Sequence, residues 1–207
     1  MFDYLRDPQA IYAKSFALVR EATDLSAVPQ ALQPLVIRLV HACGLPQIVP
    51  NLAWSDDIQD SAWSALSAGS AIYCDSEMVV NGIIRSRLPA SNAVRCTLNN
   101  DDVPAIAAQL ATTRSAAALE HWIDAANGAV VVIGNAPTAL FRLLELIAAD
   151  RVRPAAILGF PVGFVGAAES KQSLVECACG VPFMTLHGRL GGSAIASASI
   201  NGLASCQ

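Results

Sequence analysis

The stretch AVVVIGNAPTALFRLLELIAA, residues 129–149, decides how the chain is read. Its first five residues are apolar, and four of them are β-branched, the composition of a strand buried on both faces. Gly134-Asn135-Ala136-Pro137 then breaks the run. Proline suits the first positions of a helix, where its missing N–H is not needed and its fixed φ is already helical. From Thr138 onward the apolar residues recur at helical spacing. The stretch is as long as a membrane span, but the break, Arg142 and Glu145 exclude one, because a spanning helix needs about 20 nearly uncharged apolar residues. The segment therefore reads as strand, tight turn and helix over 138–149.

The same rhythm extends in both directions. Apolar runs of strand length occupy 71–74, 93–97, 155–158 and 182–186. Helical patterns fill 76–84, 103–109, 114–127, 168–178 and 193–203. Short apolar strands separated by helices imply a parallel sheet covered on both faces. The first third has no strands and reads as helices over 8–22, 29–43 and 57–68. The expectation is one α/β domain spanning 1–207. It is doubly wound, with a mainly parallel sheet of about five strands flanked by helices and a helical N-terminal third. Ligands of such folds bind outside the carboxyl ends of the strands.

Composition narrows the function classes. Of 207 residues, 54% are hydrophobic and the net charge is −4, so a large core is available and a basic nucleic-acid footprint is not. The first residues lack the basic and apolar regions of a signal peptide, which points to the cytoplasm. The six cysteines are Cys43, Cys74, Cys96, Cys177, Cys179 and Cys206. In that compartment they are expected to be reduced and structural, many of them buried. Cys177-x-Cys179 has no second pair at zinc spacing, so no metal is expected.

The loops after the strands carry the candidate chemistry. Asn135 and Thr138 open a helix whose N–H groups suit a carboxylate or phosphate, although an ordinary strand-to-helix turn has the same sequence. Residues 159–166, GFPVGFVG, read as an apolar wall near a ligand or as a buried interface loop. They match neither G-x-G-x-x-G nor a P-loop, which speaks against a nucleotide-dependent oxidoreductase. Glu169, Ser170 and Lys171 read as a solvated face. Arg189 and Ser193 flank two glycines before the last helix, a setting for an anion or for a local ion pair. Arg114 follows Thr113 at another helix start, and Arg85 lies near Arg87 in a loop. Among the histidines, His121 reads as structural and His187 is ambiguous. His41 ends a helix one turn after Arg38. The helix dipole favours the protonated imidazole and the arginine opposes it, so a proton donor and an ordinary helix-end histidine are both compatible with the spacing.

Six segments occur in a fixed order: residues 11–16 (IYAKSF), 38–44 (RLVHACG), 113–118 (TRSAAA), 134–140 (GNAPTAL), 159–171 and 188–193 (GRLGGS). Together the set resembles the precorrin-8X methylmutases, including their cobalt-precorrin-8 form, from about Tyr4 to Leu203. The resemblance implies an isomerase that moves a methyl group from C-11 to C-12 of a corrin precursor and yields hydrogenobyrinic acid, without cofactor or metal. It implies His41 as the catalytic acid/base and substrate contacts at Ser15 and Arg38. It further implies tetrapyrrole substrate and product, a homodimer with sites near the interface, and hand-over of product to the next pathway enzyme. A non-catalytic, tight-binding corrinoid carrier is the alternative. Arg85, Arg114, Asn135, Thr138, Arg189 and Ser193 join the expected substrate contacts, since the substrate is a flat apolar ring edged with carboxylates.

Overall fold

A computed structural model describes residues 2–204. The elements run α1 Pro8–Ala22, α2 Gln33–Cys43, β1 Leu52–Trp54, α3 Ile58–Ser67, β2 Ile72–Cys74, α4 Glu77–Gly82, β3 Val94–Cys96, α5 Val103–Gln109 and α6 Arg114–Ala117. They continue with β4 Val130–Ile133, α7 Pro137–Ala148, β5 Ala156–Gly159, α8 Ala167–Cys177, β6 Phe183–Leu186 and α9 Ser193–Leu203.

The six strands lie in the order β1-β6-β5-β4-β2-β3. All neighbours are parallel except β1, which pairs antiparallel with β6 at the edge. Residues of β4 alternate between two cores. Val130 and Val132 face the cluster built with α2, α3, α4 and α9. Val131 and Ile133 face the cluster built with α7, α8 and Trp122. Period-two alternation in a strand covered on both faces leaves nothing for solvent, and all four residues are buried. Each such side chain contributes about 1.5–3 kcal/mol by leaving water.

Helix α9 explains its own composition. It reads SAIASASINGL, and α2 and α4 press against it closely. A methyl group on Gly202 would come 2.7 Å from Leu35 Cδ1, and one on Gly82 would strike Ser197. Small side chains are what allow these backbones to approach.

Three sequence expectations change. The sheet gains β1, a three-residue strand that follows directly on a 3-10 helix over Pro46–Asn51 and carries too little pattern to be seen. The helix expected over 114–127 stops at Ala117 and tightens into a 3-10 turn over Ala118–Trp122. The chain leaves it because Trp122 is anchored, its Nε1 donating to Thr97 Oγ1 at 2.9 Å, and because Asp124 takes a left-handed φ of 60°. The cysteines are also less buried than expected: Cys74 is buried, whereas Cys177 and Cys179 are exposed and the five described thiols are all free. Cys206 lies outside the described residues. Among the described residues, no helix is long and apolar enough to cross a membrane.

Candidate active site

The sheet order reverses between β2 and β4, since β3 lies on one side of β2 and β4 to β6 on the other. Crevices at such reversals are where open α/β sheets usually take ligands. Here the crevice is already filled. Asp75, directly after β2, is 3% exposed and accepts the N–H groups of Gly134, Asn135 and Ala136, each at 2.8 Å. Burial pushes its carboxyl above the ordinary value, and the three N–H bonds pull the other way. The free N–H groups expected at 134–136 for a substrate carboxylate are therefore taken by the protein's own. No room is left beside them either: a methyl on Gly134 would lie 2.6 Å from Ala196 Cβ and 2.7 Å from Val79 Cγ2.

Polar residues converge elsewhere, where α1 lies on α2. Helix α1 starts cleanly, with Asp7 accepting the Ala10 N–H at 2.7 Å and Pro8 in the first turn. Tyr12, Ser15 and Phe16, spaced i, i+3 and i+4, share its α2-facing side. Arg38 and His41 face them from α2, which ends at Gly44 with a φ of 70°, a conformation that suits glycine. Ser15 Oγ lies 3.1 Å from His41 Nδ1. The Phe16 ring stacks on the imidazole at 4.5 Å with 20° between planes. The Arg38 guanidinium, 9% exposed, lies 4.7 Å from the Phe16 ring centre, and its Nη2 donates to the Tyr12 hydroxyl at 2.7 Å. Desolvation, helped by the Arg38 charge, holds the His41 pKa below the ordinary 6.5. Both influences favour the neutral imidazole.

Two cavities meet at His41. One, of about 310 Å³, runs between α1 and α2 and is lined by Ser15, Leu18, Val40 and Pro46. The other, of about 440 Å³, lies between α2, α4 and α9 and is lined by Arg38, Met78, Ser193, Ser197 and Asn201. Both are mostly apolar with a few polar groups, the character of a pocket for a large apolar ligand.

The structure brings four of the sequence candidates together here: Ser15, Arg38, His41 and Ser193. The remaining five lie apart from this cluster. Thr138 meets Thr113, their hydroxyls 2.8 Å apart. Arg114 donates to Leu98 O at 3.2 Å and to Asn99 Oδ1 at 3.0 Å, on a neighbouring loop. The Asn135 side chain is exposed. Arg189 lies over Phe164 at 5.1 Å. Arg85 is exposed in the 3-10 turn after α4, and from that turn it is Arg87 that reaches the cluster, 5.9 Å from the Tyr12 ring centre.

Of the solvated face expected at 169–171, Glu169 is exposed and the other two residues are corrected. Ser170 and Lys171 are both 0% exposed. Lys171 Nζ donates to Leu190 O at 2.5 Å, and burial lowers its pKa to about 8. The two glycine loops are stitched together there, with Gly192 N donating to Phe160 O at 2.8 Å and Gly163 N to Arg189 O at 3.2 Å. A side chain on Gly191 would run into the Phe160 and Pro161 carbonyls. His121 bonds Asp102 at 3.0 Å, in keeping with a structural role. Sequence reasoning gave no site role to Tyr12, Phe16, Asp75 or Arg87. The first two were detectable only as aromatic residues one turn apart, a pattern shared with any core-facing helix.

A model of the precorrin-8X methylmutase (CbiC) family matches residues 10–206. The precorrin-8X methylmutase of Pseudomonas aeruginosa is 55% identical over 204 residues, covering 99% of this chain and 98% of that one. The enzyme of the same name from Sinorhizobium sp. is 53% identical, covering 98% and 97%. A solved precorrin-8x methyl mutase from Thermus thermophilus superposes with a TM-score of 0.85 at 34% identity, covering 95% of this chain and 94% of that one.

Proposed function

The chain belongs to the precorrin-8X methylmutase family, isomerases of cobalamin biosynthesis, and we propose that it moves a methyl group from C-11 to C-12 of precorrin-8X, with His41 exchanging the proton. The observation that carries this reading is the Ser15–His41–Phe16–Arg38 cluster at the junction of two apolar cavities. The reaction is an isomerisation, so substrate and product have the same atoms and no co-reactant is consumed. Ser15 fixes Nδ1 and Phe16 fixes the ring plane, which leaves Nε2 as the atom that meets the macrocycle. Proton exchange at Nε2 selects the ring tautomer in which the carbon bearing the methyl group releases it to its neighbour. The neutral imidazole at pH 7 accepts the proton first and returns it after migration. Such acid/base work contributes about 10²–10⁴-fold. The remainder comes from holding the ring in the reactive geometry, between the cavity walls and the buried Arg38 cation, which pairs with a ring carboxylate.

The homodimer belongs to the same proposal. Helix α1 has no buried residue along its whole length, and Ile11, Tyr12 and Leu18 are 45%, 45% and 53% exposed. Phe164 and Val165 are 83% and 89% exposed. A second copy covering α1 turns the open junction at His41 into an enclosed one, which suits chemistry that excludes water.

The test is His41→Ala, assayed by the absorption change as precorrin-8X becomes hydrogenobyrinic acid. Turnover is expected to fall at least 100-fold with the circular dichroism unchanged. Activity within about tenfold of wild type would overturn the role of His41.

A further inference from the structure

We propose that Phe16 and Tyr12 are positioning residues that divide the cluster between them, Phe16 fixing His41 for turnover and Tyr12 fixing Arg38 for binding. The inference rests on the reading of His41 and Arg38 given above. It starts from a puzzle in α1. A helix with no buried residue gains little from its own core, yet it places a tyrosine and a phenylalanine one turn apart with ring centres at 4.5 Å. Both rings are spent on polar partners. Phe16 packs against both the His41 imidazole, at 4.5 Å, and the Arg38 guanidinium, at 4.7 Å. Tyr12 accepts from Arg38 Nη2 at 2.7 Å and lies below two cations, Arg38 at 5.7 Å and Arg87 at 5.9 Å.

This arrangement solves a placement problem. Arg38 and His41 are one turn apart on the same helix face, and without an intervening group the flexible guanidinium is free to approach the imidazole. The Phe16 ring contacts both groups and holds each to its own place on it. Its face attracts the guanidinium and thereby fixes the distance between the two polar groups. The flat contact also fixes the imidazole rotation about the axis that Ser15 leaves open, since a single bond to Nδ1 does not set the ring plane. The charged group that acts on His41 is Arg38 from its own helix, while Arg87, from the turn after α4, lies over the Tyr12 ring. Ser15 and Tyr12 face it as neutral hydroxyls from α1.

The test pairs Phe16→Leu, which keeps an apolar side chain but removes the plane, with Phe16→Tyr, which keeps the plane, and with Tyr12→Phe, which removes only the acceptor of Arg38. His41 is followed by its imidazole nitrogen and proton resonances across pH, identified by their loss in His41→Gln. Phe16→Leu is expected to raise the His41 pKa toward the ordinary value, because water reaches the imidazole and relieves the desolvation that is the larger cause of its lowering, and to blur the preference between its two tautomers. Its kcat is expected to fall about 10- to 100-fold with KM changed less than about threefold, the scale of a misplaced catalytic group. Phe16→Tyr should restore both. Tyr12→Phe should instead raise KM by about tenfold and leave kcat within about twofold, the scale of one hydrogen bond to a charged group. Wild-type titration and kcat in Phe16→Leu overturn the proposal. A shifted titration with wild-type kcat upholds Phe16 as the positioner and overturns His41 as the catalyst, so the two failures are distinct. Phe16 is only half-buried, and Phe16→Met serves the same test should Phe16→Leu melt early.

Discussion

His41, in the last turn of α2, and Asp75, directly after β2, show how single residues acquire their roles from what surrounds them. His41 is held neutral first by desolvation and then by the Arg38 charge. If the neutral imidazole is the form that starts the reaction, kcat should fall on acidification along a limb centred below pH 6.5. Arg38→Gln removes the second cause, so the limb should move upward toward the ordinary value while product affinity drops about ten- to a hundredfold. A pH profile with an unmoved or lowered limb would contradict this. Asp75 carries a different burden. Its carboxylate satisfies three N–H groups at the start of α7, two of them buried. Asp75→Ala leaves those donors without a partner, at a cost of about 3 kcal/mol or more. For a domain of this size that corresponds to a melting temperature lower by about 6 °C or more. Calorimetry showing a loss under about 2 °C would mean that the carboxylate is not the cap. His41 and Arg38 were singled out by the family resemblance, since their spacing alone left an ordinary helix-end histidine open. Asp75 was not, since an acid after a strand has no pattern of its own and its partners lie about 60 residues away.

At the scale of elements, the strongest sequence signal was also the most faithful. The strand and helix read from 129–149 are β4 and α7, because apolar runs on a doubly covered sheet leave no polar position to confuse them. Weaker elements failed where tertiary contacts decided the backbone, as at β1 and after Ala117. Lys171 in α8 is the clearest case of a hidden partner: its acceptor is the Leu190 carbonyl, and no spacing rule connects the two. Burial lowers the amine from 10.5 to about 8 in the folded protein. Between those values the unfolded chain binds the extra proton, so raising the pH through that window favours the folded state at this residue. Urea denaturation should therefore show wild type gaining stability relative to Lys171→Met as pH rises from 8 toward 10.5. A difference independent of pH would show that the amine is not desolvated as described.

The whole molecule presents apolar surface on α1 and on the 159–166 loop that a core of this size does not require. Sedimentation at micromolar concentration should give a single species of twice 21.6 kDa, and Leu18→Arg should yield folded monomer of low activity. A fully active monomer would remove the dimer from the mechanism. In the sequence the expectation of a partner rested on low charge and apolar glycine loops; the fold adds the exposed apolar residues of α1. The stitched loops have one more consequence, in protein chemistry rather than catalysis. Of the two lysines in the sequence, Lys14 is exposed and Lys171 is buried. Acetylating reagents should mark Lys14 within the mixing time and reach Lys171 only when the loops over it part. The slow appearance of that second adduct in a mass spectrum makes Lys171 a clock for loop opening, read without any engineered probe.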